Sequence, residues 1–272
     1  MKKNATGRLM LLATALIWGS SFFVMKQAVD SIPVFFVLAI RFTIGAIVIS
    51  LPLLPRLRRI PPKVWGHGLL CGALEFSAYV TQSYGLMGTT PGKNAFLTAV
   101  YCVLVPFVCW LCWREQPSKW NWIAAVLCVI GIGLVSLTGD LSISWGDGLT
   151  LVSGVLYAFQ VALLGHYAHQ GDHPIALTVS QFAMAAGLSW ICSVIWAPGA
   201  HIPQSAWPQM IYLSVIVTGL AMLLQAVGQT ITPAPQAAIL MSLESVFGIL
   251  FSVLFYGERV NARMLTGFTV IF

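Results

Sequence analysis

A carboxylate in the middle of an apolar stretch is the first thing to explain. The segment Leu69–Leu86, LLCGALEFSAYVTQSYGL, is long and apolar enough to cross a bilayer, yet it carries Glu75 near its centre. An ionisable group at membrane depth costs about 2.5–3.5 kcal/mol on insertion scales, and it normally faces a bundle interior or a water-filled cavity. His67, Glu75, Tyr79 and Gln82 share one helical face. Glu244 is a second mid-span carboxylate. Burial disfavours the charged form of such a group. Two chemistries follow: recognition of a cationic group, or a carboxylate for which proton and substrate compete. The alternative is a Glu hydrogen-bonded within the bundle.

Other polar side chains extend this surface. Thr218, Met222, Gln225 and Gln229 share a face, and an amide suits a substrate amide, carboxylate or hydroxyl. Helix–helix hydrogen bonding is the competing role. Asn94, Thr98 and Tyr101 continue one face inward from Lys93, which sits just after Pro91 and either binds an anion at a helix N-terminus or snorkels to the interface. Pro106 is expected to kink that helix. Trp18, Phe22 and Tyr157 offer an aromatic wall. Lys26 and Arg41 read as lying toward the outer ends of their spans. With no Lys or Arg then at the depth of the two carboxylates, the centre is expected to be electronegative.

No catalytic constellation, metal set or nucleotide-binding loop appears, so no cofactor or metal is expected. His166, His169 and His173 have metal-like spacing but sit at a helix end. The six Cys all lie in apolar stretches and read as buried thiols.

These side chains must be held by membrane helices. Only 8% of the 272 residues are charged and 58% are hydrophobic, against about 25% charged in a soluble domain. The net charge of +6 is dispersed, which argues against a nucleic-acid partner. At about 20 apolar residues per span, the candidates are Arg8–Val29, Val34–Leu54, Val64–Leu86, Pro91–Trp113, Trp120–Thr138, Asp147–His169, Pro174–Ala197, Trp207–Thr230, Pro235–Tyr256 and a tenth from Arg263. The tenth is too short to cross, and a longer natural chain is expected. The N-terminal apolar run lacks a clear cleavage site and reads as the first span. Lys2, Lys3, Arg8, Arg56, Arg58, Arg59, Lys63, Arg114 and Lys119 fall on one side if spans alternate, which places the N-terminus in the cytoplasm. Arg259 and Arg263 fit that rule less well.

The chain repeats itself. An offset of 143 residues lays Gln82 on Gln225, Gly85 on Gly228, Thr89 on Thr232 and Glu115 on Glu258. The same offset lays Glu75 on Thr218 and Glu244 on Tyr101. An offset of 139 lays Trp18 on Tyr157, and one of 140 lays Arg41-Phe42 on Gln181-Phe182. Five spans per half is an odd number, so the second half enters the membrane inverted. The expected fold is an all-α membrane protein of ten transmembrane helices in two inverted five-helix repeats, residues 1–139 and 140–272, with the tenth helix incomplete.

ALIWGSSFFVMK in the first span, AIRF in the second, NAFLTAVYCVLVP in the fourth and SLESVFGILFSVLFYGERV in the ninth resemble the EamA family of the drug/metabolite transporter superfamily. The resemblance covers essentially the whole chain. It implies a central cavity built from spans one to four and six to nine, and movement of small metabolites, often outward, across the cytoplasmic membrane. A secondary transporter working by alternating access is therefore expected, with substrate residues Trp18, Glu75, Tyr79, Gln82, Asn94, Tyr101, Tyr157, Thr218, Met222, Gln225 and Glu244. Glu75 and Glu244 are the proton-coupling candidates. The expected partners are a small molecule (an amine, amino acid or organic cation) and the lipid bilayer, the chain being a monomer or homodimer. The rival is a membrane-embedded enzyme acting on a lipid or small metabolite.

Overall fold

Small residues decide how closely the helix carrying Glu75 approaches its neighbours. A Cβ at Gly72 would sit 2.3 Å from the carbonyl oxygen of Gln181, and one at Gly85 would sit 2.8 Å from that of Gly146. Only glycine allows backbones to meet so closely, a device common where helices pack within a membrane.

The computed structural model describes residues 2–50, 60–136, 143–259 and 261–271. They form helices α1 (Lys2–Val29), α2 (Val34–Ser50), α3 (Pro62–Met87), α4 (Pro91–Trp113), α5 (Lys119–Ser136), α6 (Trp145–His169), α7 (Pro174–Trp196), α8 (Gln204–Gln229), α9 (Ala234–Tyr256) and α10 (Ala262–Ile271). Among the described residues there is no strand. The expected repeat boundary at 139/140 and the charges Arg56, Arg58 and Arg59 lie outside the described residues.

Six helices (α1, α4, α6, α7, α8 and α9) are long and apolar enough to cross a membrane, and α2 and most of α5 are shorter apolar helices. The helix α3 is 26 residues long but is not among the six. Its polar face of His67, Glu75, Thr81 and Gln82 lowers its apolar character, because that face looks inward. Outward-facing side chains such as Leu111, Val129, Val194 and Phe255 stay exposed around the bundle. Apolar surface of that extent marks contact with lipid.

Packing places α3 between α6 and α7, and α8 between α1 and α2. The pairs α2–α7, α4–α9 and α5–α10 also meet, as do α1–α9 and α4–α6. Two helices are interrupted in mid-course. The helix α4 breaks at Ala99–Val100, and α9 breaks at Ser242. The break in α4 is not at Pro106, where the kink was expected. The helix α8 widens to π-helical turns over Tyr212–Leu220, with Thr218 Oγ1 donating to the Leu213 carbonyl at 2.8 Å. Such widening frequently marks functional positions.

Candidate functional site

A narrow cavity of about 30 Å³ lies where α1, α2, α3, α4, α6 and α9 converge. That is room for a water molecule or two. Its lining follows from inward positions on each helix. Trp18 comes from α1, Tyr79 and Gln82 from α3, Asn94 and Tyr101 from α4, Tyr157 from α6 and Glu244 from α9. These seven were singled out in the sequence, and the fold brings them together.

Hydrogen bonds fix their orientation. The Trp18 Nε1 donates to the Val217 carbonyl at 3.3 Å, tying α1 to α8. Gln82 Nε2 donates to Thr98 Oγ1 at 3.0 Å, and Gln82 Oε1 accepts from the Tyr157 hydroxyl at 3.1 Å. The Asn94 amide donates to Thr150 Oγ1 at 2.7 Å. The rings of Tyr79 and Tyr101 both meet that of Tyr157 edge-on, at 5.6 and 6.5 Å, a favoured arrangement for aromatic pairs.

Arg41 changes the electrostatics expected from the sequence. It lines the cavity and is only 1% exposed. The Arg41 Nη2 donates to the Tyr79 hydroxyl at 3.0 Å and its Nε to Thr218 Oγ1, while its guanidinium carbon lies 4.5 Å from the centre of the Tyr79 ring. No carboxylate of the described residues lies within salt-bridge distance of it. The expectation of an electronegative centre without cations is therefore corrected. Arg41 lies two turns into α2, level with Tyr79 and Thr218, rather than at its outer end.

Four of the residues singled out do not reach the cavity. Glu75 is wholly buried, and the Gln181 side chain of α7 is its polar neighbour. The close α3–α7 approach at Gly72 turns this part of the helix toward α7. Thr218 holds Arg41 from behind. Met222 packs in the apolar cluster of Tyr79, Phe182 and Val217. Gln225 is fully buried, with both amide atoms unpartnered. One lining residue the sequence reading overlooked is Gln160. Its Nε2 donates to Gln181 Oε1 at 3.3 Å, so a buried amide pair runs from the cavity wall to the neighbourhood of Glu75. The 139-residue offset pairs Gln160 with Ser21, another wall residue, and was the available signal.

The end of the cavity at the α4 N-terminus is closed by polar contacts. The Lys93 Nζ lies 2.7 Å from Asp147 Oδ2, and the Thr89 hydroxyl donates to Asp147 Oδ1 at 2.7 Å. The Glu258 carboxylate accepts from the Thr90 hydroxyl, from the Gly92 N–H at 2.8 Å and from the Ser252 hydroxyl at 2.5 Å. Lys93 thus neither snorkels nor waits for an anion: the protein's own carboxylates occupy this helix N-terminus. The three closely spaced histidines do not converge. His166 stacks on Trp113, His169 contacts the Gly165 carbonyl and His173 precedes α7. Cys112 is exposed rather than buried, since its stretch of α4, with Trp110 and Leu111, faces outward.

Comparison with known proteins agrees with this architecture. A solved crystal structure superposes with a TM-score of 0.76 over 98% of this chain and 94% of its own, at 18% identity, which shows a shared fold. An uncharacterized transporter of Archaeoglobus fulgidus is 31% identical over 250 residues, covering 91% of this chain and 77% of that protein. The uncharacterized transporter YetK of Bacillus subtilis is 26% identical over 272 residues, covering 93% and 80%. The uncharacterized inner membrane transporter YedA of Escherichia coli is 28% identical over 156 residues, covering 55% and 50%. The model of the EamA-like transporter family matches residues 5–137 and 144–272, and the chain, a multi-pass membrane protein, belongs to that family.

Proposed function

We propose that this protein is a secondary active transporter that moves a small zwitterion, such as an amino acid, across the cytoplasmic membrane by alternating access, outward and in exchange for protons. The observation that carries the substrate class is the pairing of charges on one cavity. Arg41 has no carboxylate partner among the described residues, and Glu244 faces the same space. A guanidinium suits a carboxylate and a carboxylate suits an ammonium group. The tyrosine and tryptophan walls flank the space between those charges, which must widen to admit a substrate. Of the amines, amino acids and organic cations expected from the sequence, only the zwitterion uses both charges. Trp18, Tyr79, Gln82, Asn94, Tyr101, Tyr157 and Glu244 contact it directly in this proposal. Thr218 and Met222 support Arg41 and Tyr79 from behind.

Ten spans in two inverted halves are part of the proposal, and the packing supports them. Pair α1 with α6, α2 with α7, α3 with α8, α4 with α9 and α5 with α10. Each main contact then exchanges onto another: α3–α6 onto α8–α1, α3–α7 onto α8–α2, and α4–α6 onto α9–α1. The pairs α2–α7, α4–α9 and α5–α10 map onto themselves. The breaks in α4 and α9 also obey the 143-residue offset. Halves that exchange in this way have two equivalent positions to rock between. A cytoplasmic N-terminus follows from the basic loops. Proton coupling rests on Glu75, a buried carboxyl group reached from the cavity through the side chains of Gln160 and Gln181.

Thermal denaturation of the purified protein with matched zwitterionic, cationic and anionic probes tests the substrate class. Ligand at a hundred times its dissociation constant stabilises by about 2.7 kcal/mol. Neutral amino acids are expected to raise the midpoint most, and Arg41→Gln to remove that rise while sparing any effect of amines. Stabilisation by plain organic cations alone, unchanged in Arg41→Gln, would refute it.

A further inference from the structure

The latch that closes the cavity at the α4 N-terminus has a counterpart at the other end of the bundle. We infer that Glu115 is a second latch, whose carboxylate docks between Arg8, Thr232 and Gln236 at the N-terminus of α9 when the transporter adopts its opposite state. This inference rests on the alternating-access proposal and names the contact that would hold its second state.

Three observations converge on it. First, the 143-residue offset lays Glu115 on Glu258, and both follow a left-handed residue that ends its helix. Gly257 has φ 74° and Arg114 has φ 64°. That turn swings Glu258 back onto the N-terminus of α4. Arg114 is the one non-glycine residue with positive φ among those described, a conformation that is costly for a side-chain-bearing residue. Here it repeats the turn that aims Glu258.

Second, the receiving residues form a site. A cavity of about 230 Å³ is lined by Arg8, Ile231, Thr232, Pro233 and Gln236. The Thr232 side chain is 3% exposed, and its hydroxyl has no partner. Antiparallel packing of α4 on α9 brings the end of α4 to this place, where Trp113 packs against the cluster containing Ala234. Glu115 itself is exposed and makes no ion pair among the described residues.

Third, the site repeats the positions of the closed latch with Asp147 replaced by a cation and Lys93 by a neutral amide. Thr89, Lys93 and Asp147 meet at the closed end. The 143-residue offset turns Thr89 into Thr232 and Lys93 into Gln236, and the 139-residue offset turns Asp147 into Arg8. The donors that hold Glu258, the Thr90 hydroxyl and the Gly92 N–H, become Pro233 and Pro235, which have neither. A carboxylate arriving at α9 therefore needs other donors. The Arg8 guanidinium, the Thr232 hydroxyl and the Gln236 amide supply them.

Pulsed EPR on full-length protein in lipid vesicles, with the native cysteines replaced, tests the latch. Spin labels at Gln116→Cys and Pro233→Cys report this end, and labels at Met87→Cys and Arg259→Cys report the other. A short-distance population is expected at 116/233. It should fall about threefold in Glu115→Gln and in Arg8→Gln, the scale of an exposed ion pair, and return in the exchange variant Arg8→Glu with Glu115→Arg. Two distances at 87/259 with an invariant 116/233 pair would overturn the latch while leaving alternating access intact. A short-distance population indifferent to Arg8→Gln, or not restored by the exchange, would also overturn it. Single distances at both ends would overturn the latch and alternating access together.

Discussion

Arg41 and Glu75 show how one residue's meaning depends on what it faces. Both lie in apolar helices, but the sequence marked only Glu75 as costly, since Arg41 read as lying toward the outer end of its span. A helical face can be read from spacing, but the neighbour that covers it cannot. Arg41 reaches the cavity because it sits mid-helix in α2, where Tyr79 and Thr218 supply acceptors for its N–H groups. Glu75 is turned the other way because Gly72 lets α7 approach. A carboxylate that moves protons should impose a pH dependence that disappears when it is neutralised permanently. Glu75→Gln is therefore expected to retain substrate exchange across vesicles at equal pH while losing acceleration by an imposed proton gradient. Undiminished acceleration in this variant, measured by tracer flux, would assign Glu75 a structural role.

Among the elements, α3 carries the most constraint. It is long, its polar face looks inward, and glycines at both ends seat it against α6 and α7. Overpacking of a closely fitted interface costs about 1–3 kcal/mol. Gly72→Val should accordingly lower the thermal midpoint of the detergent-purified protein. Gly187→Ala, in α7, should leave it unchanged, because a Cβ added there meets nothing within 4 Å. Equal midpoints for both variants would show that the α3–α7 contact is loose enough to absorb a larger side chain. Helix positions were mostly legible in advance, because runs of apolar residues punctuated by Pro, Gly and charge leave few alternatives in a membrane. The interruption of α4 was not. Proline marks a place where a helix can bend, but the packing of α4 on α6 and α9 selects the turn that opens.

At the scale of the whole molecule, one half explains the other. The repeat was legible as polar residues at constant offsets, and the same offsets relate the two helix breaks, the two left-handed helix ends and the two wall residues Ser21 and Gln160. What the sequence could not convey is asymmetry. Glu258 is engaged and Glu115 is exposed, although they occupy equivalent places. A single state of the proposed alternating-access cycle would have this character, because only one end is closed at a time. The proposed substrate class was also hidden, since it depends on Arg41 and Glu244 lining one cavity from helices far apart in the chain. The central claim is coupled movement of a zwitterion through this cavity. Its most direct test is flux of a labelled neutral amino acid mixture into liposomes holding the purified protein, with a proton gradient imposed in either direction. The account predicts saturable uptake above that of protein-free liposomes, driven uphill by the gradient of opposite sense and lost in Arg41→Gln with Glu244→Gln. Uptake no greater than in protein-free liposomes, or chemical conversion of the substrate without flux, would contradict it.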